Sequence, residues 1–168
     1  MRTLKLREVT NRIFSGGTPS TTNSDYWDGD LPWLSSGETR QQYIYDTEKK
    51  ITQSGADNSS TRLANKYSVV IASAGQGYTR GQTSFLMIDT YINQSIVALE
   101  ANAKFLLPKY LFYNLLTRYD EMRLLSDSSS TRGSITTKMM ADMSISLPAI
   151  EDQQHIVNTT SSLLLKSL

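Results

Sequence analysis

Cysteine is absent from this sequence and histidine occurs once, at His155. Without thiols there is no disulfide, no zinc–thiolate centre and no cysteine nucleophile. A lone histidine excludes metal sites built on several imidazoles. No serine stands in a G-x-S-x-G elbow to make a Ser-His-Asp site with it, so His155 reads as a surface or interface residue. Charge of one sign is missing too. The 17 Lys+Arg nearly balance 16 Asp+Glu, for a formal net charge of +1. That excludes a uniformly basic coat for nucleic acid but allows a local basic face. No apolar run reaches the length of a membrane span, and MRTLKLREVT has no apolar core of a secretory signal. With the missing cysteine, this predicts a cytoplasmic protein.

The phosphate-loop and calcium-loop signatures are also lacking. Gly75 to Gly81 has no G-K-[ST] ending and runs into TSFLMI, which has the pattern of a strand and not of a helix. Asp25, Asp28 and Asp30 do not have calcium-loop spacing, and turn chemistry accounts for them. An enzyme acting alone is therefore the least supported class.

What is present is organised around residues 69–99. Val69-Val70-Ile71-Ala72 and Phe85-Leu86-Met87-Ile88 read as buried strands, and Ile96 to Leu99 is a third apolar run. Between the first two hangs a loop broken by Gly75, Gly77 and Gly81 and carrying Gln76, Tyr78, Thr79, Arg80 and Gln82. A polar loop on a rigid scaffold suits recognition. The fork of Arg80 fits a phosphate or a guanine edge, or braces the loop. A second polar loop, Ser35 to Tyr43, offers Arg40, Gln41, Gln42 and Tyr43, all side chains able to read base edges. A third, around Ser130 and Arg132, is a weaker candidate.

In chain order, Leu4 to Phe14 predicts a short helix, or a helix leading into a strand. Gly16-Gly17-Thr18-Pro19 breaks any element. Tyr26, Trp27 and Trp33 either pack near a turn or form a stacking platform for sugars or bases. Residues 43–51 read as extended, and 52–63 as polar with one or two helical turns. Asn93-Gln94 looks out of place within an apolar strand. Pro108 to Leu125 has the clearest helical spacing, opened by proline where its missing N–H matters least. Ile135 to Asp142 reads as a short helix and Met143 to Leu147 as a strand. From Ala149 on, the chain is helix-forming. Ile150, Val157 and Leu164 recur every seven, with Ile156 and Leu163 beside them. That is too short for a self-sufficient coiled coil.

Six segments in order then carry a resemblance. They are GGTPS (Gly16–Ser20), YWDGDLPWLSSGE (Tyr26–Glu38), ITQSG (Ile51–Gly55), VVIASAGQGYTRG (Val69–Gly81), INQSIVAL (Ile92–Leu99) and SISLPAIEDQQHIV (Ser144–Val157). The chain resembles one target recognition domain of the specificity subunit of type I restriction-modification enzymes. The resemblance implies an α+β fold, a mixed α/β recognition domain with a twisted sheet over residues 1–148. Residues 149–168 would begin the spacer (coiled-coil) helix. It implies a non-catalytic chain that reads one half of a split double-stranded DNA sequence. The methyltransferase and restriction subunits would use S-adenosylmethionine, ATP and magnesium, with no cofactor or metal in this chain. Ile150, Ile156, Val157, Leu163 and Leu164 would face a partner across the helix: the methyltransferase, a second recognition domain or a second copy of this chain. Two alternatives stay open: a recognition domain of a single-chain restriction-methylation enzyme, and a carbohydrate- or protein-binding module built on Tyr26, Trp27 and Trp33.

Overall fold

A computed structural model describes residues 1–128 and 133–167. The chain opens with β1 (Arg2–Lys5), one turn of helix α1 (Leu6–Val9) and β2 (Thr10–Ser15). Then come β3 (Trp27–Leu34), β4 (Tyr43–Ile44), β5 (Lys49–Ile51), α2 (Gln53–Asp57) and β6 (Arg62–Ala64). The central strands are β7 (Val69–Ala72), β8 (Thr83–Leu86), β9 (Thr90–Ile92) and β10 (Ile96–Ala101). Helices α3 (Pro108–Leu116), α4 (Tyr119–Asp127) and α5 (Thr137–Asp142) follow, then β11 (Ser144–Leu147) and α6 (Ile150–Lys166).

Three layers result. The middle one is a five-stranded sheet in the order β2-β10-β7-β8-β4. It is antiparallel except for β4 against β8. Because side chains alternate along a strand, Val69 and Ile71, Val97 and Leu99, and Phe85 face the helices. Val70, Ile96 and Ala98, and Leu86 face the other way, against Leu34, Ala64 and Ile92. Those last three belong to a four-stranded sheet, β5-β3-β9-β6. Burial on both faces is why VVIA and IVAL are unbroken apolar runs. Strands β1 and β11 pair separately and set the start of the chain against the strand that precedes α6. The fold is α+β.

The Gly16-Gly17 break is required by packing. A Cβ on Gly16 would sit 2.0 Å from the carbonyl oxygen of Ile92, so only glycine lets the segment after β2 cross β9. Asn93 is buried in the β9–β10 connection, where its side-chain oxygen accepts the N–H of Ser95 at 3.0 Å. Gln94 accepts from the Thr18 hydroxyl. These amides serve a turn and not a strand interior, which resolves their apparent misplacement.

Leu4 to Phe14 holds the expected helix leading into a strand, as the single turn α1 running into β2, with the end of β1 before it. One expectation needs correction. The single helix expected over residues 108–125 is two, because the apolar face continues while the backbone does not. At the junction the Thr117 hydroxyl donates to the Asn114 carbonyl at 2.7 Å, the kind of local bond that competes with helix propagation. Arg118 leaves helical geometry, donates to Ser144 O at 2.8 Å and pairs with Glu121.

Candidate nucleic-acid interface

The first candidate loop, 35–43, is held largely from within. Ser35 caps a 3-10 turn, Ser36–Arg40. The Glu38 carboxylate is buried and accepts from the Ser35 N–H at 2.9 Å, the Ser35 hydroxyl at 3.0 Å and the Glu48 N–H at 2.8 Å. This Ser-x-x-Glu box fixes the turn, and its sequence signal was available at residues 35–38. The far end is clamped by β8: Phe85 N–H donates to Gln42 O at 2.8 Å, and the Ser84 hydroxyl donates to Thr39 O at 3.2 Å. Arg40 remains on the surface, donating to Gly37 O at 2.8 Å and pairing with Glu48 at 3.2 Å. Gln41 and Gln42 are exposed.

Tyr43 lies elsewhere. Its ring packs edge-on against Phe85 and Phe112, at centroid distances of 6.2 and 5.4 Å. Its hydroxyl lies 3.4 Å from that of Tyr113 and 3.3 Å from Lys109 Nζ. Tyr113 in turn meets the Ser161 hydroxyl of α6 at 2.7 Å. Burial, then the hydrogen bond to Tyr113, pushes the Tyr43 phenol well above its ordinary value. Tyr113 moves down: burial opposes this, but bonds to Ser161 and Tyr43 and the charge of Lys109 outweigh it. Tyr43 thus joins the sheet to α3 and α6, whereas Gln41 and Gln42 stand in the open.

The second loop, 73–82, is held from α4. Arg80 is only 7 % exposed, which decides its role. Its guanidinium donates to Gly75 O and Arg123 O, both at 3.2 Å, and to the Ser126 hydroxyl, and it pairs with Asp127 at 2.8 Å. Of the readings open to Arg80, the structure supports the brace: its fork is taken up by the loop and α4 and is not free for a phosphate or a guanine edge. Arg123 reciprocates, donating to Arg80 O at 2.8 Å and Gln76 O at 3.4 Å. The Tyr119 hydroxyl donates to Tyr78 O at 2.7 Å. Gly81, at φ +93°, would place a Cβ 3.2 Å from the Tyr119 ring, so glycine is needed for both conformation and fit. With the backbone engaged in this way, Gln76 and Tyr78 are exposed and Thr79 is half-buried. Tyr119 and Arg123 were missed because nothing local in sequence ties them to a loop about forty residues upstream.

The two loops meet along β8. Thr39, Arg40, Gln42, Gln82 and Tyr119 line one cleft, and the Thr39 hydroxyl donates to the Gln82 side chain at 3.2 Å. A second cavity, lined by Gln76, Arg80, Asp127 and Ser134, joins loop 73–82 to the segment after α4. Ser130 and Arg132 lie outside the described residues. Among the described residues no cluster of His, Cys, Asp or Glu could hold a metal ion. None of the described helices is long and apolar enough to cross a membrane.

The tryptophans do not form an open platform. Trp33 is buried, donates its indole N–H to Gly17 O at 3.1 Å and meets Trp27 edge-on at 5.2 Å. On α6, Val157 and Gln153 are buried and Ile150 is half-buried, whereas Ile156, Leu163 and Leu164 are exposed. Gln153 accepts from Leu107 N–H at 2.9 Å and donates to Phe105 O at 2.8 Å and Pro148 O at 2.9 Å. One side chain thus satisfies three backbone groups, tying α6 to the start of α3.

Residues 1–166 match the family described as the type I restriction modification DNA specificity domain. The chain is 27% identical over 148 residues to the specificity subunit of the Escherichia coli type I restriction enzyme EcoR124I/EcoR124II, covering 86% of this chain and 36% of that protein. It is 26% identical over 168 residues to the MjaIX specificity subunit of Methanocaldococcus jannaschii, covering 94% and 36%. It therefore spans about a third of the length of these relatives. Among solved structures, it superimposes on the HsdS subunit from Thermoanaerobacter tengcongensis with a TM-score of 0.73 at 21% identity, over 98% of this chain and 37% of that one. A chain from a structural study of type I R-M complex assembly gives 0.74 at 23% identity, covering 98% and 38%. The protein is a member of the type I restriction-modification DNA specificity domain family.

Proposed function

We propose that this chain reads one half of a bipartite double-stranded DNA sequence for a type I restriction-modification assembly. The observation that carries the reading is the meeting, along β8, of two braced loops with polar side chains at their surface: the exposed Arg40, Gln41 and Gln42 from one, and the exposed Gln76 and Tyr78 beside the half-buried Thr79 and Gln82 from the other. Glutamine pairs with adenine and arginine with guanine in the major groove, and each good bidentate pair gives about 1–3 kcal/mol of discrimination. Ser130 and Arg132, outside the described residues, are proposed as base readers on their residue type alone. Arg80 and Tyr43 support the two loops from inside.

We assign catalysis, with its S-adenosylmethionine, ATP and magnesium, to methyltransferase and restriction subunits acting in the cytoplasm. The exposed Ile156, Leu163 and Leu164 of α6, with the half-buried Ile150, face a partner: those subunits, a second recognition domain or a second copy of this chain; Val157, expected with them, packs instead in the chain's own core. With a formal net charge of +1, isolated binding is weak, because phosphate contacts dominate affinity. Additional domains restore it through effective concentration. Deleting the gene and mapping methylated bases across the source genome tests the reading. The expected result is loss of one bipartite methylation motif. An unchanged set of motifs, in a strain whose methyltransferase remains active, would refute it.

A further inference from the structure

Tyr78 is 85% exposed, on a loop whose backbone is otherwise fastened. Its carbonyl is held by Tyr119, the carbonyls of Gln76 and Arg80 by Arg123, and that of Gly75 by Arg80. An aromatic ring is thus presented to solvent on a stalk already ordered, so little further entropy is lost when it finds a partner. Its sequence neighbours are Gln76, Gly77 and Thr79, with no second apolar side chain between Ala74 and Gly81. A protein interface buries a cluster of apolar groups at its centre, and a single projecting ring does not provide one. From Asn58 to Ile88 the sequence has no carboxylate, and the charge of Arg80 is met by Asp127. The loop itself therefore sets no carboxylate beside Tyr78 to repel a polyanion.

We propose that Tyr78 is a stacking wedge: its ring enters an opened base step of the target duplex and stacks on a nucleobase. This rests on the DNA-recognition reading above and gives Tyr78 within it a role by stacking rather than by hydrogen bonding. Opening a step costs a few kcal/mol, least at pyrimidine–purine steps, which unstack most easily. The opened step is therefore a TA or CA/TG step within or beside the recognised half-site. Tyr119 and Arg123 are positioning residues, acting through the loop backbone and not on the DNA.

The test uses the full specificity polypeptide assembled with its methyltransferase subunits and a duplex carrying the mapped motif. Permanganate, which attacks unstacked thymines, reads the opened step, and duplex affinity is measured alongside. Wild type is expected to make one thymine hyper-reactive. Tyr78→Ala is expected to abolish that reactivity and bind about 10- to 100-fold more weakly, the range of a lost base–aromatic stack. Tyr78→Trp is expected to keep both. A Tyr78→Phe variant as weak as Tyr78→Ala would show that the hydroxyl, not the ring, makes the contact, and would overturn the wedge. So would a Tyr78→Ala complex that binds like wild type, or one that fails to assemble with its protein subunits. If the wild-type complex binds the motif-bearing duplex no better than a scrambled one, the DNA-recognition reading itself fails, an outcome separate from failure of the wedge.

Discussion

Loops 35–43 and 73–82 do similar work by different means. The first carries its own brace: Glu38 gathers three donors from Ser35 and Glu48, all within the same stretch of chain. The second contributes Arg80 but depends on Tyr119, Arg123, Ser126 and Asp127 of α4 for the rest. Local bracing makes a loop whose shape follows from its own residues. Remote bracing makes one whose shape also depends on how α4 is seated. The two therefore break differently.

The largest separation is expected from Arg80→Ala. Removing charge-assisted bonds to two carbonyls and a hydroxyl in a buried setting costs about 2–3 kcal/mol. The exposed half of the Asp127 pair adds little. Lysine does not restore it, since the brace uses the planar fork. Hydrogen exchange should rise at residues 75–82 and stay unchanged at 35–43, with the denaturant midpoint reporting the cost. Equal loosening of both loops would contradict independent bracing.

Glu38→Ala is the mirror experiment and a smaller one. It removes a capping-box carboxylate and orphans the N–H groups of Ser35 and Glu48, at about 1–2 kcal/mol. Exchange should rise at those two amides and not at Gly81. The smallest effect is electrostatic. Arg118 hydrogen-bonds Glu121 and, against some burial, holds its carboxyl below the ordinary value. A depressed folded pKa gives stability that is fully present above the unfolded pKa. It is lost as pH falls through the folded one. Wild type should thus lose stability relative to Glu121→Gln on acidification below about pH 4.3, the unperturbed glutamate value. Parallel stability–pH curves would show that the pair contributes nothing to seating α4.

The same contrast explains how much could be read in advance. The strands on either side of loop 73–82 were plain, because burial on both faces leaves an unbroken apolar run at Val69–Ala72. The Ser35–Glu38 box is also a local pattern, legible beside the polar side chains that the loop turns outward. The loop's own residues leave the direction of Arg80 open between outward and bracing: it is set by α4, and residues 117–118 interrupt a helix whose apolar spacing runs straight through. Tyr43 shows the same limit. Its phenol is placed by Tyr113 and Lys109, far along the chain, so its residue type alone suggested a base reader.

The central claim is that outward side chains of these two loops choose the DNA sequence. The most direct measurement maps methylated motifs in cells carrying the wild-type gene or a variant with Gln41, Gln42, Gln76 and Gln82 all changed to alanine. The account predicts that one half of the bipartite motif is lost or relaxed while the other half is kept, with the protein folded to the same midpoint. The same motif at wild-type occupancy in the variant would contradict it.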